Sequence, residues 1–215
     1  MPQFPEKIPY SPTPLGEVVG YVHISKPDTA FKNEYHFHLK LLRNNPEVDA
    51  WVANLKDLGD KALADALDKL REEDKLKKGE ETKWDVYVPI EEETDEYVVV
   101  HLKQNAVIHT KDGEDKEVVI GIYDSADRPM DRDTFIRAGS KVRAMCKPRA
   151  IVVKSARQAG VRLDFGKIQV AHLVEREQSG FGSTIEGGYQ SAPANDPRTS
   201  NSIPDSDGED TGGDF

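Results

Sequence analysis

The residues with the strongest chemical character lie in one stretch, "GSKVRAMCKPRAIVVKSARQAGVR", from Gly139 to Arg162. In an extended chain Lys141, Arg143 and Lys147 share one parity, opposite Val142, Ala144 and Cys146. Arg149 continues that parity provided Pro148 leaves the strand straight. Lys154 and Arg157 fall in the turn "KSARQAG", and Arg162 opens the next strand. Between Arg128 and Lys167 eleven basic residues meet three acidic ones, a local charge of +8. Opposite charges are scarce there. The expectation is a like-charged ridge whose self-repulsion is relieved by an external polyanion.

A second set combines rings with cations. Tyr21 and His23, then His36, His38 and Lys40, then Tyr97, His101 and Lys103 occupy the polar side of three alternating segments, with Lys26 just beyond the first. Aromatic and imidazole rings can stack on unpaired bases while lysines meet phosphates. Two histidines at i and i+2 can also share a metal ion. No Asp or Glu falls on those outward positions, so no metal and no cofactor is expected. The run "EEETDE" from Glu91 to Glu96 reads as a solvated turn rather than a glycosidase pair. Ser125 and Ser140 lack a nucleophile–base signature. No P-loop glycine pattern occurs, and Cys146 reads as a small core hydrophobe. These residues describe a binding surface, not an enzyme.

The elements that must position them are mostly strands. "GEVVGYVHIS" (Gly16–Ser25), "EYHFHLKLL" (Glu34–Leu42), "EYVVVHLKQNAVIH" (Glu96–His109), "EVVIGIYD" (Glu117–Asp124), "SKVRAMC" continuing to Val153, and "GVRLDFGKIQVAHLVE" (Gly160–Glu175) are rich in Val, Ile, Tyr and Phe and mostly alternate. Their apolar parity, Val18, Val22 and Ile24, then Tyr35, Phe37, Leu39 and Leu41, then Val98, Val100 and Leu102, is expected inside. One helix interrupts them. Asn45 and Pro46 suit its N-cap and first position, and Val48, Trp51, Val52, Leu55, Ala62, Leu63, Ala66, Leu67 and Leu70 keep a period near 3.6. The spacing predicts a helix over about 46–78, with Gly59 as its weak point and Gly79 as its stop. Short strands around a single helix predict an all-β protein with one helical insertion: a five-stranded antiparallel OB-fold barrel capped by the helix.

Composition sets the frame. The 215 residues carry a net charge of −10 and are 37% hydrophobic and 32% charged. No apolar run approaches the roughly 20 residues of a membrane span. The start "MPQFPEKIPYSPTP" is no signal peptide and reads as a proline-rich arm over 1–15. A lone cysteine fits a reducing cytoplasm. The barrel is expected over 16–178. From Ser179 to Phe215 seven acidic residues face one basic residue, a charge of −6, with little to bury, so 179–215 is expected to be disordered.

Four segments together carry a resemblance. They are "YVHISKPD", "IYDSADRPMDRDTFIRAGSKVRA", "IQVAHLVE", and an acidic tail ending "GGDF". In this order the chain resembles the single-stranded DNA-binding proteins of podophage-type replisomes, over roughly Gly16 to Glu175 plus the tail. It departs from them in a longer proline-rich arm and a less densely acidic tail. The resemblance implies an OB-fold that coats single-stranded DNA during replication, recombination and repair, in the cytoplasm of an infected host cell. It implies that Asp205, Asp207, Glu209, Asp210, Asp214 and Phe215 recruit the replicative DNA polymerase and primase-helicase, and that the tail competes with DNA for the basic groove. It also allows a homo-oligomer. The rival readings are an OB-fold adaptor without a DNA role and a metal-dependent nucleic-acid enzyme using the histidines.

Overall fold

The structure is a computed structural model and describes residues 8–30, 32–76, 79–109 and 112–174. Five long strands carry it: β1 (Gly16–Asp28), β2 (Glu34–Leu42), β3 (Tyr97–Asn105), β4 (Lys141–Val153) and β5 (Gln158–His172). Each alternates apolar and polar residues, so each has one side to bury. A sheet that curls onto itself buries all five at once. Pairing runs β1–β2–β3–β5–β4 and returns to β1 through Lys141 and Val142 opposite Glu17 and Gly16. Five is odd, so a ring of alternating strands must contain a parallel seam. That seam is β3 with β5, through Leu102 and Lys103 opposite Leu163 and Asp164. The other four seams are antiparallel, as the sequence predicts for the whole ring.

Inside the ring Val18, Ile24, Phe37, Leu39, Leu41, Val98, Val100, Leu102, Val161, Leu163, Phe165 and Ile168 are buried. Phe37 and Phe165 meet edge to face across it, with centroids 5.1 Å apart. The short β4–β1 seam is extended by the N-terminal segment. Ser11 and Pro12 pair with Cys146 and Met145. Thr13 is fully buried; its N–H donates to the Ala144 carbonyl at 2.8 Å, and its hydroxyl accepts from the Ala144 N–H at 3.1 Å. Part of the proline-rich arm thus forms barrel wall.

The helix α1 runs from Pro46 to Glu72 without a break. The Asn45 side chain accepts the Glu47 N–H at 3.0 Å, and Pro46 opens the first turn. The helix stops before the expected Gly79. Asp74 takes the left-handed conformation (φ 52°), and the Lys75 N–H returns to the Leu70 carbonyl, a glycine-type stop made by aspartate. Gly59 does not break the helix; it lets it approach a neighbour. A Cβ there would stand 2.6 Å from Val88 Cγ1. The helix packs on β4, β5 and the short strand Asp85–Tyr87, which runs parallel to β5. Arg43 and Lys56 both reach Glu93, tying the helix to strand Ile90–Glu93 on the edge of β3.

The remaining strands are shorter than predicted. Glu96–His109 divides at Ala106 into β3 and Val107–His109, which pairs with Asp115–Glu117. Of Glu117–Asp124, only Glu117, within that hairpin, and Gly121–Tyr123 are strand; the latter lies parallel to β5. No helix among the described residues is long and apolar enough to cross a membrane. The predicted tail 179–215 lies outside the described residues.

Gly160 is the tightest point. A Cβ there would lie 1.8 Å from the Tyr87 carbonyl oxygen, which is backbone and cannot rotate away. Gly160→Ala should therefore destabilise by about 3 kcal/mol, the upper end for overpacking, or roughly 6–12 °C in Tm. Gly59→Ala meets side-chain methyls and should cost less. Thermal melts followed by circular dichroism check the order; equal melting temperatures would contradict this packing.

Candidate nucleic-acid interface

Closing the ring aligns side chains that are far apart in sequence. One row of partners crosses the outer wall: His23 faces His36, His36 faces Lys103, Lys103 faces Asp164, and Asp164 faces Lys147. The wall has two halves with different chemistry.

On β1–β3 the rings cluster. His23 and His36 have centroids 5.0 Å apart, and His38 stacks on His101 at 4.5 Å. This half carries its own counter-charges. His38 Nε2 and His101 Nδ1 meet the two oxygens of Glu91 at 2.9 and 3.3 Å. Burial pushes the His101 pKa down to about 4, helped by neighbouring His38 and Lys103 against the pull of Glu91, so this imidazole is neutral at pH 7. Asp28 stands beside His23 and His36. Burial opposes its ionisation, but the Ala30 amide and the two imidazoles outweigh that and hold its pKa below the ordinary value. The expectation that no carboxylate reaches this wall fails: Asp28 arrives through a register shift in β1, and Glu91 arrives on a strand edge that sequence alternation does not reveal.

Other predicted residues on this half are already engaged. Lys40 Nζ sits 4.0 Å above the Tyr97 ring, and the Tyr97 hydroxyl donates to Glu92. Lys103 lies 3.7 Å from Glu34. Tyr21, by contrast, is 84% exposed. It lines a groove of about 850 Å³ with Val22, Ile24, Lys26, Phe135 and Arg137. Phe135 is 58% exposed and carries the Arg137 guanidinium 4.8 Å from its ring centre. Lys26 pairs with exposed Asp133 at 3.3 Å.

On β4–β5 the charge is positive. Lys141, Arg143, Lys147 and Arg149 all point outward, and the pairing with β5 continues without a shift through the buried Pro148. The ridge is not free of opposite charge, as its composition suggests. Asp164, 5% exposed, holds Arg149 Nε at 3.0 Å and Arg162 Nε at 2.6 Å. Arg149 and Arg162 face each other directly, so the buried carboxylate relieves their repulsion. Lys141, Arg143, Lys147 and Arg157 form no ion pair with a carboxylate among the described residues, and Lys154 acts only at longer range on Glu73. Lys154 and Arg157 sit in the β4–β5 turn, where Arg157 is left-handed (φ 51°).

The wall also holds residues the sequence reading missed. Tyr10 lies 5.9 Å from Lys147 Nζ, and Tyr123 lies 5.5 Å from Lys167 Nζ. Tyr10 was hidden in the arm and Tyr123 in a short strand. Phe135 and Arg137 could have been found by parity, since they flank the buried Ile136. Cys146 faces the core, and burial raises its thiol to about 12, so it is inert. The acidic and aromatic tail residues Asp205 to Phe215 lie outside the described residues. Unpaired cations beside exposed rings suit a flexible polyanion with π-faces.

Residues 15–173 match a protein family described as "Single-stranded DNA-binding protein, Bacteriophage T7". No curated protein matches the chain. Among solved structures, gp2.5, a single-stranded DNA-binding protein encoded by bacteriophage T7, is similar with a TM-score of 0.68 at 20% identity, covering 81% of this chain and 98% of that one. The single-stranded DNA-binding protein of bacteriophage Enc34 gives a TM-score of 0.42 at 12% identity, covering 80% and 86%. In complex with ssDNA, that protein gives 0.46 at 10%, covering 82% and 100%. The likeness to gp2.5 is one of fold.

Asp164→Ala removes the carboxylate between two guanidiniums. Arg149 remains partly hydrated, so the loss should be about 1–3 kcal/mol, below the full cost of orphaning a buried charge. Urea unfolding measures it; unchanged stability would show that the clamp contributes nothing net.

Proposed function

The chain belongs to the family of single-stranded DNA-binding proteins typified by bacteriophage T7, and we propose that it coats single-stranded DNA during phage replication, recombination and repair by laying the strand along the cationic half of its outer wall. It is a binding protein, not an enzyme. The observation that carries the placement is the unpaired row Lys141, Arg143 and Lys147 on one strand face, with Tyr10 beside it. Phosphates would meet the cations. Bases would find Tyr10, Tyr21 and Phe135, whose faces accept any base, so binding would be sequence-nonspecific.

The acidic segment supports a second part of the reading. Its charge of −6 opposes the +8 of the region Arg128–Lys167. In this proposal the segment competes with DNA for the ridge. When DNA displaces it, Asp205, Asp207, Glu209, Asp210, Asp214 and Phe215 become available to replisome partners, the polymerase and primase-helicase, in the host cytoplasm. A flexible acidic peptide with an aromatic anchor fits a basic pocket on another protein.

Replacing Lys141, Arg143 and Lys147 with Ala should weaken oligo-dT binding for all sequences alike. The log–log salt slope should fall by roughly 0.7 per lost phosphate contact, about 2 in all. Fluorescence titrations at several salt concentrations read the slope, and an unchanged slope would put the strand elsewhere. Deleting Ser206 to Phe215 should tighten binding, most at low salt where screening is weak. Equal or weaker affinity of the truncated chain at low salt would end the competition model.

A further inference from the structure

The β1–β2 seam is irregular. His23 faces His36 and Asp28 faces Glu34, so five steps along β1 answer two along β2. In a regular ladder Ser25 would face Glu34, and Asp28 would share the inward parity of Ile24. The surplus residues reverse that parity and deliver the Asp28 carboxylate to the outer wall.

Two imidazole nitrogens then converge on one oxygen. His36 Nε2 is 3.4 Å and His23 Nε2 3.8 Å from Asp28 Oδ2. The other oxygen, Oδ1, accepts the Ala30 N–H at 3.0 Å, which fixes the carboxylate's orientation. The three donor atoms lie within 4.8 Å of one another. A separation of 3.8 Å is too long for a hydrogen bond. It is close to the edge of a tetrahedron with bonds near 2.1 Å, which is about 3.4 Å. Two imidazoles and a carboxylate, with the carboxylate oriented by a backbone amide, form the donor set that divalent zinc, cobalt or nickel takes.

The neighbouring cluster of His38, Glu91 and His101 is built differently. Each imidazole there takes its own carboxylate oxygen, one at hydrogen-bond length, 2.9 Å. The two rings are stacked with planes 16° apart, so their in-plane lone pairs run side by side and do not converge. Its two carboxylate oxygens are thus taken separately, while His38 Nδ1 and His101 Nε2, on the far side of the rings, are buried without a partner.

We propose that His23, Asp28 and His36 form a binding site for a divalent transition-metal ion of the zinc class, with its remaining coordination positions open to water or a phosphate oxygen. His23 is about one-third exposed, which leaves an approach from solvent. The ion would fasten the end of β1 to β2 at the start of the β1–β2 loop and make this corner of the row, one strand from Lys103, net positive.

The test uses the untagged full chain, stripped with chelator and titrated with Co²⁺ while the visible d–d bands are recorded, then with Zn²⁺ by calorimetry. One saturable equivalent with tetrahedral-type Co²⁺ bands is expected. Asp28→Asn and His36→Gln should each weaken binding at least tenfold, whereas His109→Gln, outside the cluster in the hairpin beside Asp115, should not. Asp28→Asn keeps the shape and the Ala30 hydrogen bond, so it decides the matter even if His36→Gln unfolds. The proposal is overturned by the absence of saturable binding, by binding unchanged in Asp28→Asn, or by loss in Glu91→Gln with Asp28→Asn unaffected.

Discussion

Closure of a five-membered ring of strands is the constraint on which the rest depends. An odd ring forces one parallel seam, and that seam sets β5 between β3 and β4. The inner surface is then consumed by Phe37, Phe165, Leu102 and their neighbours. The outer surfaces of the histidine half and the cationic half are joined at the β3–β5 seam, where Lys103 faces Asp164. The alignment of His36, Lys103, Asp164 and Lys147 follows from register alone. Closure at β4–β1 is short, and Thr13 lengthens it with two hydrogen bonds to Ala144. A net contribution of about 1 kcal/mol each is small in absolute terms but large against marginal stability.

Charge on the cationic half is divided into two kinds. Arg149 and Arg162 are held by a buried carboxylate; their guanidiniums brace the wall and are partly neutralised. Lys141, Arg143 and Lys147 form no such ion pair, although Lys147 faces Asp164 and Lys141 faces Glu17 across the ladder. A surface whose cations were all paired would offer a polyanion only exchange of one partner for another. A surface with none paired would repel itself. Asp164, between Lys103 and Lys147 in the row, lets the ridge be dense and still fold.

Much of this was legible in the sequence because strands keep a period of two. The inward sets of β1, β2 and β3, the outward parity of Lys141, Arg143, Lys147 and Arg149, and the Asn45–Pro46 helix start all follow from spacing and side-chain chemistry. What was lost has identifiable causes. Asp28 changes side through a register shift that no alternation rule contains. Glu91 comes from a charged four-residue strand that reads as a turn. Asp74 ends the helix in a conformation usually left to glycine. The partners of Asp164 required cross-strand register, which parity alone does not provide.

The two halves of the wall are complementary in a way that bears on how a strand is held. The histidine half is close to electrically balanced, since Asp28, Glu34 and Glu91 stand among its rings and lysines and His101 is neutral. It offers ring surfaces and hydrogen-bonding groups with little long-range field. The cationic half offers field, and its rings, Tyr10 and Tyr123, also lie beside lysines. Long-range attraction therefore acts on one side only. In the proposed reading, a single strand drawn to the β4–β5 face would meet cations first and ring surfaces second. That order would suit binding to any sequence with release when salt screens the ridge.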